Sequence, residues 1–304
     1  LDEPEPGSCD ARHAAALPAS HCRGHSVNTG SDGQENPDTP RASAHSGGGE
    51  MDRRRAALRE EFVRRRGYLA PSQEAMLALS PDFFEAYLAF SSVPWTGGTL
   101  PRKVKEFVYI AVDAATTHLY ASGTRTHIRR ALAEGATPEE ILEVLQLTSL
   151  LGAHTLAVGV PILVEELRSA PSAADARSLP AGDAERIKAA YVAAVGDWDA
   201  SCDALLRLSP AFLEGYIRFV AFPWSGRSLE PRVKELIAIA INASTTHLYE
   251  PGMRFHMRRA LRIGVPVGEI VEVLQLASVL GIHTCSMGMP ILRDEADAQA
   301  APPA

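Results

Sequence analysis

The sequence is poor in cysteine: four among 304 residues (Cys9, Cys22, Cys202 and Cys285), none in a C-x-x-C pair. So sparse a set excludes a disulfide-built scaffold and a dithiol redox centre, and a cytoplasmic, reducing setting is expected. A basic excess is missing too, because the formal net charge is -7, which argues against a nucleic-acid partner. Residues 1–50 hold most of that imbalance, with eight acids against three arginines. The nearly neutral remainder is not built to steer charged macromolecules. No unbroken run of about 18 apolar residues occurs, so neither a membrane-spanning helix nor a membrane partner is expected. Residues 1–20 lack the basic start and apolar core that a secretory signal would show. G-x-S-x-G, G-x-x-x-x-G-K and G-x-G-x-x-G are all absent, so no hydrolase elbow or nucleotide site is read, and no cofactor is expected.

What the chain does contain is a repeat. SPDFFEAYLAFSSVPWTGGTL at 80–100 matches SPAFLEGYIRFVAFPWSGRSL at 209–229, an offset of 129 that runs without a gap to PIL at 161–163 and 290–292. About 45 of the 84 aligned positions are identical. Within each copy the apolar period is helical, so the expected fold is an all-α tandem duplication. Three segments follow: a disordered tail at 1–50, a first helical repeat at 51–172 and a second at 173–304. The tail is rich in Gly, Ser and Pro and cannot bury enough apolar surface to order itself. Its His21, Cys22 and His25 form a weak metal-binding pattern, and Met51, which opens the first helical pattern, is a candidate start of translation. Helices are predicted over Leu100–Leu119, Thr124–Glu134 and Glu139 to about Gly152, with a further one starting at Pro161. Thr137-Pro138-Glu139-Glu140 is a capping box, whereas Val265-Pro266-Val267-Gly268 in the second copy lacks it.

All six histidines beyond the tail fall in repeat-matched pairs: His118 with His247, His127 with His256, and His154 with His283. Glu106 and Glu235, Tyr120 and Tyr249, and Arg125 and Arg254 match as well. With about half of all positions identical, such retention alone is weak evidence, so placement has to carry the reading. Glu106 sits inside an apolar helix, and a buried carboxyl beside a histidine is equipment for proton transfer. Pairing of Glu106 with Arg125 or Arg129 is the plainer alternative. His127 and His256, His118 and His247, and Glu106 and Glu235 are therefore the candidate catalytic groups. Arg125, Arg254, Tyr120 and Tyr249 are candidate substrate-binding groups. A metal held by His118, His127 and His154, with Glu106, is the alternative assignment. Lys103 and Lys105 are read as lying on a solvated helix face.

Leu100-Pro-Arg-Lys-Val-Lys-Glu106, then His127-x-x-x-Ala131-x-x-x-Gly135-Ala-Thr137, then Glu140-Ile-Leu-Glu-Val-Leu145, resembles the carboxymuconolactone decarboxylase and alkyl hydroperoxidase D family. The resemblance covers about 80–167 and again 209–293. It implies an all-helical unit that assembles in threes or sixes, so three two-unit chains would close a six-unit ring. It also implies that Glu106 and His127 stand where the peroxidase branch has its Glu and His. That branch also uses a C-x-x-C pair, and here the loop reads THLYASGTRTH, with His118 at the first cysteine position. Without a thiolate nucleophile, thiol-peroxidase activity is disfavoured. The decarboxylase branch lacks those cysteines too and retains the His, although it tends to have no counterpart of Glu106.

The resemblance therefore points to a carboxy-lyase-like acid/base enzyme acting on a small lactone or carboxylated compound, as in aromatic-compound catabolism. Two other readings compete with it. One is a metal-dependent enzyme built on the His/Glu cluster; the other is a non-catalytic assembly or binding module. The partners expected are a small-molecule substrate and further copies of the same chain.

Overall fold

The computed structural model describes residues 46–169, 180–196, 198 and 200–300. The expected tail is outside this range up to residue 45, as are the His21/Cys22/His25 pattern and the boundary placed at 172/173. The first repeat comprises α1 (Ser46–Arg66), α2 (Pro71–Leu79), α3 (Pro81–Thr96), α4 (Arg102–Ala114), α5 (Ala121–Ala133), α6 (Pro138–Ser149) and α7 (His154–Ser169). The second comprises α8 (Ala181–Ala194), α9 (Ala200–Leu208), α10 (Pro210–Ser225), α11 (Pro231–Ala243), α12 (Glu250–Arg262), α13 (Val267–Ser278) and α14 (His283–Ala300). No strand occurs among the described residues, so the fold is the all-α tandem duplication that the periodicity predicts.

Helices α4 and α11 are buried on every face and form the centre of the core: Val104–Asp113 and Val233–Asn242 are buried throughout. One apolar cluster runs through both copies, joining Phe107, Val108 and Val144 to Leu236, Ile237 and Val273. The contacts between copies are reciprocal. α6 packs on α11 as α13 packs on α4, and α7 packs on α9 as α14 packs on α2. Thr117 meets its own counterpart Thr246 at 3.1 Å, which a residue does only on a two-fold axis.

Two buried ion pairs lock this arrangement. Lys105 Nζ lies 2.7 Å from Glu272, and Lys234 Nζ lies 2.5 Å from Glu143. The second oxygen of Glu272 accepts the amides of Thr99 and Leu100, and that of Glu143 accepts those of Ser228 and Leu229. Lys105 is thus no solvated residue. Lys103 is also paired, 2.9 Å from Glu140.

Local sequence explains the helix ends. Thr137 Oγ1 accepts the amide of Glu140 and the Glu140 carboxylate accepts that of Thr137, whereas α13 begins at Pro266 with no side-chain cap. Four expectations need correction. Residues 46–50 are helical. α4 stops at Ala114 rather than Leu119, because Ala115 leaves the helical region at ψ 139°. Pro161 falls inside α7 instead of starting a helix. Finally, the 3₁₀ turns Leu150–Ala153 and Val279–Ile282 fuse neighbouring helices into two long rods. These rods, at Pro138–Ser169 and Val267–Gln299, have mean hydropathies of 1.8 and 1.5 and are long and apolar enough to cross a membrane by those measures. A search for strictly apolar runs misses them because Gly, Ser, Thr and His are interspersed.

Candidate active site

Each copy builds the same core of a site where its α4-type helix meets its α5-type helix. Glu106, fully buried, accepts from His127 Nδ1 at 2.7 Å with one oxygen and from Arg130 Nε at 2.7 Å with the other. In the second copy Glu235 holds His256 Nδ1 at 2.8 Å and Arg259 Nε at 2.8 Å. His127 and Glu106 are 21 positions apart, yet the turn between α4 and α5 folds them face to face. A carboxylate on Nδ1–H fixes the tautomer and leaves Nε2 as the working atom. Burial lowers the affinity of His127 for a proton, and the Glu106 carboxylate offsets part of that effect. The expected carboxylate–histidine and carboxylate–arginine pairings thus coexist, but the arginine is Arg130, not Arg125 or Arg129.

The turn after α4 presents the second histidine. His118 and Leu119 amides both donate to Ala115 O, and Tyr120 N donates to Asp113 O at 2.8 Å. This tight wrap holds Leu119 at φ 50°, and Leu248 repeats it at φ 48°. A leucine in the left-handed region costs about 1–2 kcal/mol, so the turn is over-determined by its surroundings. His118 does not join His127. Its Nε2 lies 2.8 Å from His283 Nδ1 of the other copy, and His247 Nε2 lies 2.7 Å from His154 Nδ1 in the reciprocal place. His118, His127 and His154 therefore do not form one ligand set. Among the described residues the trio close enough to share a metal is Asp113, His118 and His283. Burial and the neighbouring rings push His154 and His283 down to about 4, and burial lowers His118 and His247.

Cavities open beside both pairs. The first, about 300 Å³, is lined by Arg66, Tyr68, Tyr109, Tyr120, His127 and His283. The second, about 390 Å³, is lined by His154, Trp224, Asn242, Tyr249, Phe255 and His256. Tyr120 lines the first cavity and Tyr249 the second, with ring centres 4.3 Å from His283 and 4.1 Å from His154. Arg125 and Arg254 line neither cavity. Both are exposed, and Arg254 pairs with Glu250 one turn away. The buried cation at the first cavity is Arg66, which donates to Ser91 O at 2.8 Å. Tyr109 stacks on His127 at 4.6 Å, where the second copy has Trp224 stacked on His256 at 5.6 Å.

Residues 81–157 and 210–282 each match the Carboxymuconolactone decarboxylase family. A solved structure of a candidate gamma-carboxymuconolactone decarboxylase subunit from Burkholderia xenovorans LB400 shares 40% identity and superposes with a TM-score of 0.75. The chain belongs to the carboxymuconolactone decarboxylase family. That alignment covers 81% of this chain and 98% of the Burkholderia protein, so the likeness takes in both copies rather than one. No curated protein matches the chain. Within the family frame, Asp113, Arg66, Arg130 and the crossing of His283 to His118 are what sequence reasoning missed. An aspartate inside the apolar run IAVDA, opposite an asparagine in IAINA, was the available signal.

Proposed function

We propose that this family member is an acid/base enzyme of the carboxy-lyase type, acting on a small lactone or carboxylated compound. One observation carries the reading: a buried carboxylate holds a histidine by Nδ1 beside a cavity, and does so in both copies. In a decarboxylation the bond to the carboxylate breaks, CO₂ leaves, and the electron pair passes into the conjugated system as a dienolate. A carbon of that dienolate then takes a proton, which His127 or His256 delivers from Nε2 as the imidazolium beside its glutamate and regains from water. Arg66 is the candidate anchor for a substrate carboxylate in the first cavity. The Burkholderia protein's name supports this class of reaction. The test is CO₂ release from a panel of carboxylated lactones by the Glu106→Gln/Glu235→Gln chain. We expect a drop of about 10²-fold or more, because a neutral amide holds the histidine less well; unchanged release contradicts the reading.

The same proposal includes assembly of three chains. Large apolar residues are exposed in repeat-matched places: Phe83 and Phe212, Phe90 and Phe219, Ile162 and Ile291, Leu163 and Leu292. A surface offered twice at a fixed rotation suits a closed ring. Sedimentation should give three times the mass of the chain, reduced by Phe90→Asp/Phe219→Asp. A monomer, or partition into lipid vesicles, contradicts it.

A further inference from the structure

Asp113 has no part in the Glu106–His127 pair, yet it lies between two histidines that line the first cavity, His127 and His283. It is fully buried at the end of α4, and neither carboxylate oxygen has a hydrogen-bond partner among the described residues. A carboxylate buried in this way is costly unless a cation stands beside it. Histidine nitrogens surround it: His283 Nδ1 is 3.7 Å from Oδ1, and His127 Nε2 is 3.9 Å from Oδ2. His118 Nε2 lies 2.8 Å from that same His283 nitrogen. The ligand atoms of Asp113, His118 and His283 all lie within 4.8 Å of one another. An ion bound at about 2.0–2.2 Å holds its ligand atoms about 3–4 Å apart, which the observed 2.8 and 3.7 Å approach. A hydrogen bond between two neutral imidazoles would explain the His118–His283 contact but would leave both buried oxygens of Asp113 without a hydrogen-bond partner.

We propose that Asp113, His118 and His283 form a binding site for a divalent first-row transition cation, assembled from both repeats and present once per chain. Two imidazoles and one carboxylate suit Zn²⁺ or Fe²⁺ and leave coordination positions open. His283 lines the first cavity, so an anionic oxygen of a bound substrate is the ligand those positions would take. Gly123 keeps the place clear, since a Cβ there would stand 2.2 Å from Asp113 Oδ2.

The second copy is the built-in comparison. His154 and His247 keep the same contact at 2.7 Å, but Asn242 replaces the aspartate. Its Nδ2 donates to Ala238 O, and its amide supplies no anionic ligand. The second half therefore pairs its histidines without a metal.

Metal stoichiometry tests this separately from turnover, so it can fail while the acid/base reading stands. The full chain is used with His21→Ala, Cys22→Ser and His25→Ala, so that those terminal residues do not compete for metal. After chelator treatment, Zn²⁺ binding is measured by calorimetry and elemental analysis, and Co²⁺ binding by its visible spectrum. The expected result is about one zinc per chain. Asp113→Asn should weaken binding beyond the ~10–100-fold that loss of an outer hydrogen-bond partner alone costs. Asn242→Asp should add a second zinc. Asparagine is already accommodated at the equivalent position, and His283→Gln serves should Asp113→Asn misfold. No zinc on the unaltered site, or zinc held undiminished by Asp113→Asn and His283→Gln, overturns the proposal.

Discussion

The two cavities share a backbone frame and a Glu–His–Arg core, yet their walls are made of different chemistry. Around the first stand Arg66, Gln73, Tyr109, Thr126 and Ser286; their counterparts in the second are Val195, Cys202, Ala238, Phe255 and Ala157. Each polar group has become apolar or smaller, and the ionisable Asp113 has become Asn242, which does not titrate. The shared frame follows from the core, where α4 and α11 are buried and tied to the other copy by reciprocal ion pairs that fix how the helices pack. Side chains facing a cavity carry no such constraint. The second cavity is therefore the more apolar of the two, although Arg258 and Arg259 also line it, while the first sets Arg66 and several hydroxyls beside a buried acid.

The largest effect should come from breaking the shared frame. Lys105→Ala and Lys234→Ala each leave a buried glutamate unpaired, and each should cost about 3–5 kcal/mol in chemical denaturation. A marked inequality between the two would show that the frame is less symmetric than its contacts. Next is close approach at the turn. A Cβ at Gly123 would lie 2.2 Å from Asp113, and one at Gly252 2.1 Å from Asn242, so Gly→Ala at either place should cost about 1–3 kcal/mol. The comparison sharpens with Ala238→Tyr, which transplants the first site's ring into the second cavity. It should weaken binding of an aromatic carboxylate there by about tenfold, roughly 1.4 kcal/mol, as read by fluorescence titration.

The smallest effect is on pH dependence. His154, facing His247, His256 and Tyr249, is held at about 4 in the folded chain against an ordinary value near 6.5. Its folded affinity for protons is depressed, so the unfolded chain binds the extra proton. Stability from this group is whole above about 6.5 and is lost as pH falls toward about 4. Thermal melts across that window should show the decline, and His154→Asn should flatten it in part.

Much of this architecture can be read from the chain itself. The 129-residue offset discloses the duplication, the helical period discloses the class, and Glu106 and His127 stand out because a carboxyl inside an apolar helix needs a partner. Helix ends are harder, since α4 halts before Ala115 within an unbroken helical pattern and the turn that follows holds a leucine in the left-handed region. The cross-repeat pairs could not be read at all. His118 and His283 are 165 positions apart and meet only because two copies pack about a two-fold axis. Arg125 and Arg129, the expected partners of Glu106, lie on α5 as Arg130 does, but it is Arg130 whose guanidinium reaches Glu106. Arg66, on α1, lies outside the aligned repeat altogether and enters the site through tertiary packing.

The central claim is that proton transfer resides in the two buried Glu–His pairs. The most direct test is CO₂ release from a carboxylated lactone by chains carrying His127→Ala, His256→Ala, or both. The account predicts that the double variant loses turnover by about 10²–10⁴-fold with its helical content intact, and that the two single variants lose it unequally. Release at the unaltered rate from the double variant would contradict the claim.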